Sequence, residues 1–236
     1  MKREGRDVNN YLSIGKSNDC AYLSIEIYSL QFRHLLLTPY LPLRRRPLMI
    51  TPDTKERIMS VARLMVQAHG YNALSFREIG KEVGVSSASI HHHFPTKGDL
   101  GAALAQRYTD DGRVALDKLL ATSKDAHKCM TGYAAIFRAA LLNDNRMCLV
   151  GLMSAEYEDL PDEVRTEVDR FADVNVKWLT EVLSLRKAKT GKDAIQHQAL
   201  AIYAAIGGAQ LVARGRGDIA MFDRAITGYR AAGLIP

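Results

Sequence analysis

The chain of 236 residues is 47% hydrophobic and 25% charged, the make-up of a soluble globular protein with one large domain or two small ones. Its net charge of +6 divides as +4 over residues 1–48 and +1 over each of 49–100 and 101–236, so bulk electrostatics selects no nucleic-acid-binding face. Cys20, Cys129 and Cys148 show no metal-type spacing; they argue against a disulfide framework or a zinc site and fit a reducing, cytoplasmic setting.

Residues 1–48 lack a helical period and read as a poorly ordered extension, with Met49 as an alternative natural start. Its richest apolar run, Tyr22 to Leu37, is interrupted by Glu26, Gln31, Arg33 and His34. It is neither the ~20-residue apolar stretch of a membrane span nor a signal peptide with a cleavage site. Leu23, Ile25 and Ile27 alternate with polar residues, which permits a short strand. Arg44-Arg45-Arg46 is either a solvated charge run or a basic arm that touches DNA phosphate or the minor groove.

Residues 49–100 carry regular helix punctuation. Thr51 suits an N-cap, Pro52 the first helical position and Asp53 the positive helix end. Ile58, Val61, Ala62 and Met65 form an apolar stripe, and Gly70 supplies a left-handed stop. Ser75 and Glu78 have capping-box spacing, with Leu74 and Ile79 as the hydrophobic staple. Gly84 then forces a turn. Ser86 caps the next helix, stapled by Val85 and Ile90, and Pro95 ends it. Thr96 and Asp99 open a long third helix. Two short helices across a tight glycine turn make a helix-turn-helix.

From Leu100 the chain reads as helical nearly throughout, over 97–121, 125–142, 146–157, 161–187, 194–213 and 218–231. Breaks fall at Asn143-Asp144-Asn145, Pro161, Thr190-Gly191 and Gly215-Arg216-Gly217. The expected fold class is all-α: an N-terminal three-helix DNA-binding domain over 49–100, then a helical ligand-binding and dimerisation bundle over 101–236.

At ~100° per residue, Ile90 and Phe94 share the inner face of the Ser86–Phe94 helix. Ala88, Ser89 and His92 lie opposite, Ser87 sits at the exposed N-terminal end and His91 on the flank. Recognition helices present such N-terminal residues to base edges. Small side chains let the backbone approach, hydroxyls bond phosphate or base, and the Ala88 methyl suits a thymine methyl. Arg77 can reach a guanine edge or a phosphate. Lys97 joins its ammonium to the free amides of a helix start, an anion site. Successive helical side chains diverge, so His91, His92 and His93 cannot converge on one metal ion; His93 packs beside Ile90, while His91 and His92 face DNA. No cofactor motif is present.

The segments 75–80, 84–86 and 90–100, reading SFREIG, GVS and IHHHFPTKGDL, resemble the TetR/AcrR family of repressors. That resemblance implies an all-α homodimer on a double-stranded operator. It implies base contacts by the residues matching Arg77, Ser87 and Ala88, and phosphate contacts by those matching Ser75, Ser89, His91 and Lys97. The family usually has tyrosine at the position of His91, so imidazole here makes that phosphate contact pH-dependent. Residues 148–156 are similar to a NemR-like branch that includes electrophile sensors, where a cysteine matching Cys148 is reactive.

Tyr133, Phe137, Met147, Cys148, Met153, Tyr157, Phe171 and Trp178 are the candidates for a small-molecule pocket with apolar walls. Cys148 is either a small buried hydrophobe or a sensor with a lowered pKa, assisted by Arg146. Ala204 to Ala209 and the stripe Phe222, Ala225, Ile226 and Tyr229 become the dimer interface if the resemblance holds; read from the residues alone, intrachain core fits equally. The functional expectation is a repressor released when a ligand, or an adduct at Cys148, tilts the helix that begins at Lys97. A second reading is a ligand-independent architectural DNA-binding protein. An enzyme is disfavoured, since no nucleophile–base pair, metal spacing or phosphate-binding glycine loop appears.

Overall fold

In this computed structural model, residues 53–186 and 191–236 are described. The expectations for residues 1–48, including the alternation at 23–27, Cys20 and the arginine run, lie outside the described residues, as do Thr51, Pro52 and Thr190. The described elements are α1 (Thr54–His69), α2 (Phe76–Val83), α3 (Ser87–His93), α4 (Lys97–Thr122), α5 (Ala126–Leu142), α6 (Leu149–Ala155), a 3-10 turn (Tyr157–Asp159), α7 (Asp162–Ser184), α8 (Lys192–Arg216) and α9 (Ile219–Ala231). No strand occurs among the described residues.

Local chemistry sets the helix starts. Ser86 Oγ accepts from the Ser89 N–H at 3.2 Å. Thr96 and Asp99 form a complete capping box, Thr96 N–H donating to Asp99 Oδ2 at 2.9 Å and Asp99 N–H to Thr96 Oγ1 at 3.0 Å. The box expected at Ser75 is half-formed: Ser75 Oγ accepts from the Glu78 N–H at 3.4 Å, while the Glu78 carboxylate takes Lys81 Nζ at 2.9 Å. An ammonium one turn away competes successfully for that carboxylate. Gly84 is left-handed at φ 76°, ψ 37°, which an L-residue adopts only at a cost of roughly 1–2 kcal/mol.

Four expectations shift. Helix α1 begins at Thr54 with Asp53 as its N-cap. Gly70 takes φ 88° but ψ 174°, a positive-φ stop outside the left-handed helical region. The buried line of α1 runs through Ile58, Met59, Ala62 and Val66, with Val61 and Met65 half-buried; both α2 and α6 pack on α1, which rotates its inner face. The helix expected over 146–157 is only Leu149–Ala155. Asp144 and Asn145 adopt φ 56° and 52° before it, so the left-handed break extends further than turn composition suggested.

The long helices α4, α7, α8 and α9 pack in succession, each on the next, and α5 lies against α8 and α9. One apolar core continues from Ile58 and Ile90 through Leu104 and Met130 to Ile206. The three-helix head is fastened to the bundle by polar contacts at the end of α1. Gln67 Nε2 donates to Met147 O at 3.1 Å, and the Arg214 guanidinium of α8 donates to Gln67 O and Ala68 O at 2.9 and 2.6 Å. A cation serves well there, because the last carbonyls of a helix carry partial negative charge.

Candidate nucleic-acid interface and interior cavity

Helix α3 is anchored by Ile90, which is fully buried, and by Phe94, over whose ring Lys55 Nζ lies at 5.5 Å. Above that anchor Ser86, Ser87, Ala88, His91 and His92 are exposed and Ser89 is half-buried. Arg77 is 81% exposed, with only a loose approach to Glu78 at 4.0 Å. Ser75 is half-buried and already caps α2. His93 is half-buried, its ring edge-on to His92 at 5.4 Å. The structure thus gathers Arg77, Ser86, Ser87, Ala88, His91 and His92 at the head's surface. Lys97 is half-buried, its Nζ donating to Asn72 O at 3.1 Å and lying 4.6 Å above the Tyr71 ring. Burial lowers the pKa of Lys97, and the Glu156 charge opposes that shift. Glu78 is held below the usual carboxylate range by its hydrogen bond from Lys81.

The sensing candidates separate. Tyr133, Phe137, Cys148 and Phe171 line one cavity between α4, α5 and α7, together with Tyr108, Thr109, Gly112 and Asn175. The free space is about 20 Å³, room for about one water molecule. Tyr133 donates to Asn175 Oδ1 at 2.9 Å, and Asn175 Nδ2 donates to Phe171 O at 2.8 Å. Burial pushes the Tyr133 hydroxyl well above its usual range.

The other four candidates lie elsewhere. Trp178 stacks on Tyr133 at 5.4 Å but turns its indole N–H to Leu116 O at 2.9 Å, on the side of an outer groove. Met147 and Met153 are core residues. Tyr157 reaches outward to Asp169 at 3.0 Å. Cys148 is buried, and burial raises its thiol pKa, partly opposed by hydrogen bonds from Gly151, Tyr108 and Val150 and by the Arg63 charge. Arg146 turns instead to Asp144 and Asn143. The activated thiolate expected of a sensor is therefore not formed in this state.

Sequence reasoning passed over Tyr108, Thr109 and Asn175, whose polar groups inside helical stripes look like surface. It also passed over Leu200, Leu211 and Val212, which are 53–55% exposed along α8. They share a face with exposed Ala204, Gly208 and Gly215. By contrast Phe222 and Ile226 of the α9 stripe are buried within the chain.

A capped helix-turn-helix on a bundle of long helices, with its second helix exposed at the N-terminal end, defines a DNA-binding transcriptional regulator. Residues 58–104 match the family model for bacterial regulatory proteins of the tetR family. A transcriptional regulator of the TetR family from Agrobacterium tumefaciens is 30% identical, covering 73% of this chain and 93% of that one, with a TM-score of 0.69. A TetR transcriptional regulator from Legionella pneumophila is 29% identical over 80% of this chain and 100% of that one, with a TM-score of 0.72. The HTH-type transcriptional repressor DhaR from Mycobacterium sp. (strain GP1) is 28% identical over 110 residues, 46% of this chain and 54% of that curated relative's length. The chain belongs to the TetR family.

Proposed function

We propose that the protein is a homodimeric repressor that acts in the cytoplasm, holds operator DNA through α3 and releases it when a small effector enters the bundle. In this reading residues 49–100 form the DNA-binding domain and 101–236 the sensing and dimerisation domain. Helix α4 crosses that boundary. The observation that carries the reading is the exposure of Ser86, Ser87, Ala88 and Arg77 above the fully buried Ile90. Arg77, Ser87 and Ala88 meet bases; Ser75, Ser86, Ser89, His91, His92 and Lys97 meet the backbone. The similarity to DhaR, which carries the name of a repressor, supports the sense of regulation.

Dimerisation rests on the apolar face of α8. A Cβ on Gly207, Gly208 or Gly215 would meet no atom within 4 Å. Mid-helix glycine costs about 1 kcal/mol with no packing reason inside one chain. Close approach of a second copy supplies the reason.

The effector is small, uncharged and largely apolar, because the cavity offers rings, hydroxyls, a thiol and an amide, with Arg113 exposed beside it. Ligand pockets usually span about 300–1,000 Å³, so entry must part α4 from α7 and move the helix that starts at Lys97. A coupling of ~1–3 kcal/mol changes operator affinity ~5–150-fold. The same small cavity favours a second reading, a ligand-independent DNA-binding protein. Footprinting the purified protein across bacterial genomic DNA, with and without a library of small uncharged compounds, separates these readings. Bound sites released by a compound support the first, bound sites that no compound releases support the second, and no bound sites refute both.

A further inference from the structure

Glu156 is the half-buried residue that closes α6. Its Oε2 accepts from the Tyr71 N–H at 2.5 Å and the Asn72 N–H at 3.3 Å, two consecutive amides in the loop joining α1 to α2. The approach depends on Gly70, where a Cβ would lie 2.6 Å from Glu156 Oε1. The carboxylate sits just beyond the C-terminus of α1, where a negative charge is disfavoured. Only the two amide bonds and the nearby Lys97 make this a favourable place for it. The same loop carries both groups that hold Lys97, the Asn72 carbonyl and the Tyr71 ring.

The opposite end of α6 begins at Cys148, which lines the cavity and whose N–H is held by Gln210 Oε1 at 3.1 Å. Seven helical residues span only ~10 Å at 1.5 Å each. One short rod therefore has the cavity wall at its start and the Lys97 loop at its end.

We propose that Glu156 is a positioning residue for operator binding: it fixes the Tyr71-Asn72 loop, and through it Lys97, so that α6 transmits the state of the cavity wall at Cys148 to a phosphate contact. This rests on the operator-binding reading above. Lys97 reaches a backbone phosphate from the start of α4. Its orientation is inherited from a carboxylate on a different helix. Displacement of α6 withdraws that carboxylate, frees the loop and loosens one phosphate contact in each protomer, leaving the base-reading face of α3 intact.

The test uses the full-length protein and a duplex selected by the wild-type chain from a random-sequence library. Fluorescence anisotropy is followed across a salt series for wild type, Glu156→Ala, Glu156→Gln, Lys97→Gln and the double variant Glu156→Ala with Lys97→Gln. Glu156→Ala binds about tenfold more weakly, and its log–log salt slope falls by about 1, the signature of a lost phosphate contact. The double variant is no weaker than Lys97→Gln alone. Glu156→Gln, which keeps an acceptor oxygen for the amides, recovers most of the affinity. If Glu156→Ala does not fold, Glu156→Asp, whose carboxylate is drawn back by one methylene, carries the same expected loss. Failure to enrich any duplex sinks the operator reading and this proposal together. An enriched duplex bound equally by the variants, or losses that add fully with Lys97→Gln, overturns this proposal alone.

Discussion

Nδ1 of His91 lies 3.0 Å from the carbonyl oxygen of Pro95. A carbonyl oxygen cannot donate, so Nδ1 carries the proton, and Nε2 of the neutral ring is left with a lone pair. That tautomer can only accept at Nε2, and a phosphate oxygen offers it nothing. The protonated ring donates at both nitrogens and can hold a phosphate while keeping Pro95. Operator affinity is therefore expected to rise about threefold to tenfold between about pH 8 and pH 6 at constant ionic strength. His91→Tyr, which places the usual family residue there, flattens that part of the profile, read by anisotropy titrations. An unchanged profile in His91→Tyr contradicts the assignment.

The thiol of Cys148 is expected to be slow to react in the native protein. Burial removes access, and its raised pKa withholds the thiolate that attacks electrophiles. Iodoacetamide labelling followed by peptide mass spectrometry is expected to modify Cys148 more slowly than a free thiol at neutral pH, with protection lost in denaturant. Labelling at free-thiol rates would restore the electrophile-sensor reading.

Alkaline conditions are expected to destabilise the fold. Cys148 and Tyr133 are both pushed upward by burial, and Tyr71 reaches about 12 from 10.0, by burial first and the Glu163 charge second. In the unfolded chain these groups lose protons at their ordinary values while the folded chain retains them. The folded state thus binds more protons over that interval, and stability falls as pH rises. Urea midpoints should stay level to about pH 8 and decline from about pH 9 upward. A midpoint that held steady to pH 11 would show that these groups titrate normally in the folded protein.

On α8, Leu211→Glu is expected to dissociate the dimer. The residue is 55% exposed in the single chain, so the monomer loses little. A buried carboxylate at a two-fold contact meets its own copy, with an expected cost of about 2 kcal/mol or more in association. Sedimentation velocity would show a shift to monomer, and an unchanged dimer would place the interface elsewhere.

The parts of this molecule that were legible in the sequence are those fixed by neighbours in the chain. Ser86 and the Thr96–Asp99 box are decided within four residues, so their positions could be read directly. Glu78 shows the limit even there, because Lys81 lies equally close and takes the carboxylate. The cavity depends on which face of a long helix meets which partner. Trp178 faces Leu116 and Met153 the core because of packing that no local pattern encodes. Asn175 and Tyr108 looked like surface because only the fold brings Tyr133 to one and Cys148 to the other. Glu156 was visible only as one letter of a family-like segment, since its partners Tyr71 and Asn72 are some 85 residues away in the chain.

The most direct test of the whole account is hydroxyl-radical footprinting of the protein on its selected duplex, combined with the mass of the complex. The account predicts two protomers per site, protecting two patches whose centres lie about 34 Å apart, one helical turn or a multiple of it. A single protected patch under one protomer, or no protection at low salt, would contradict it.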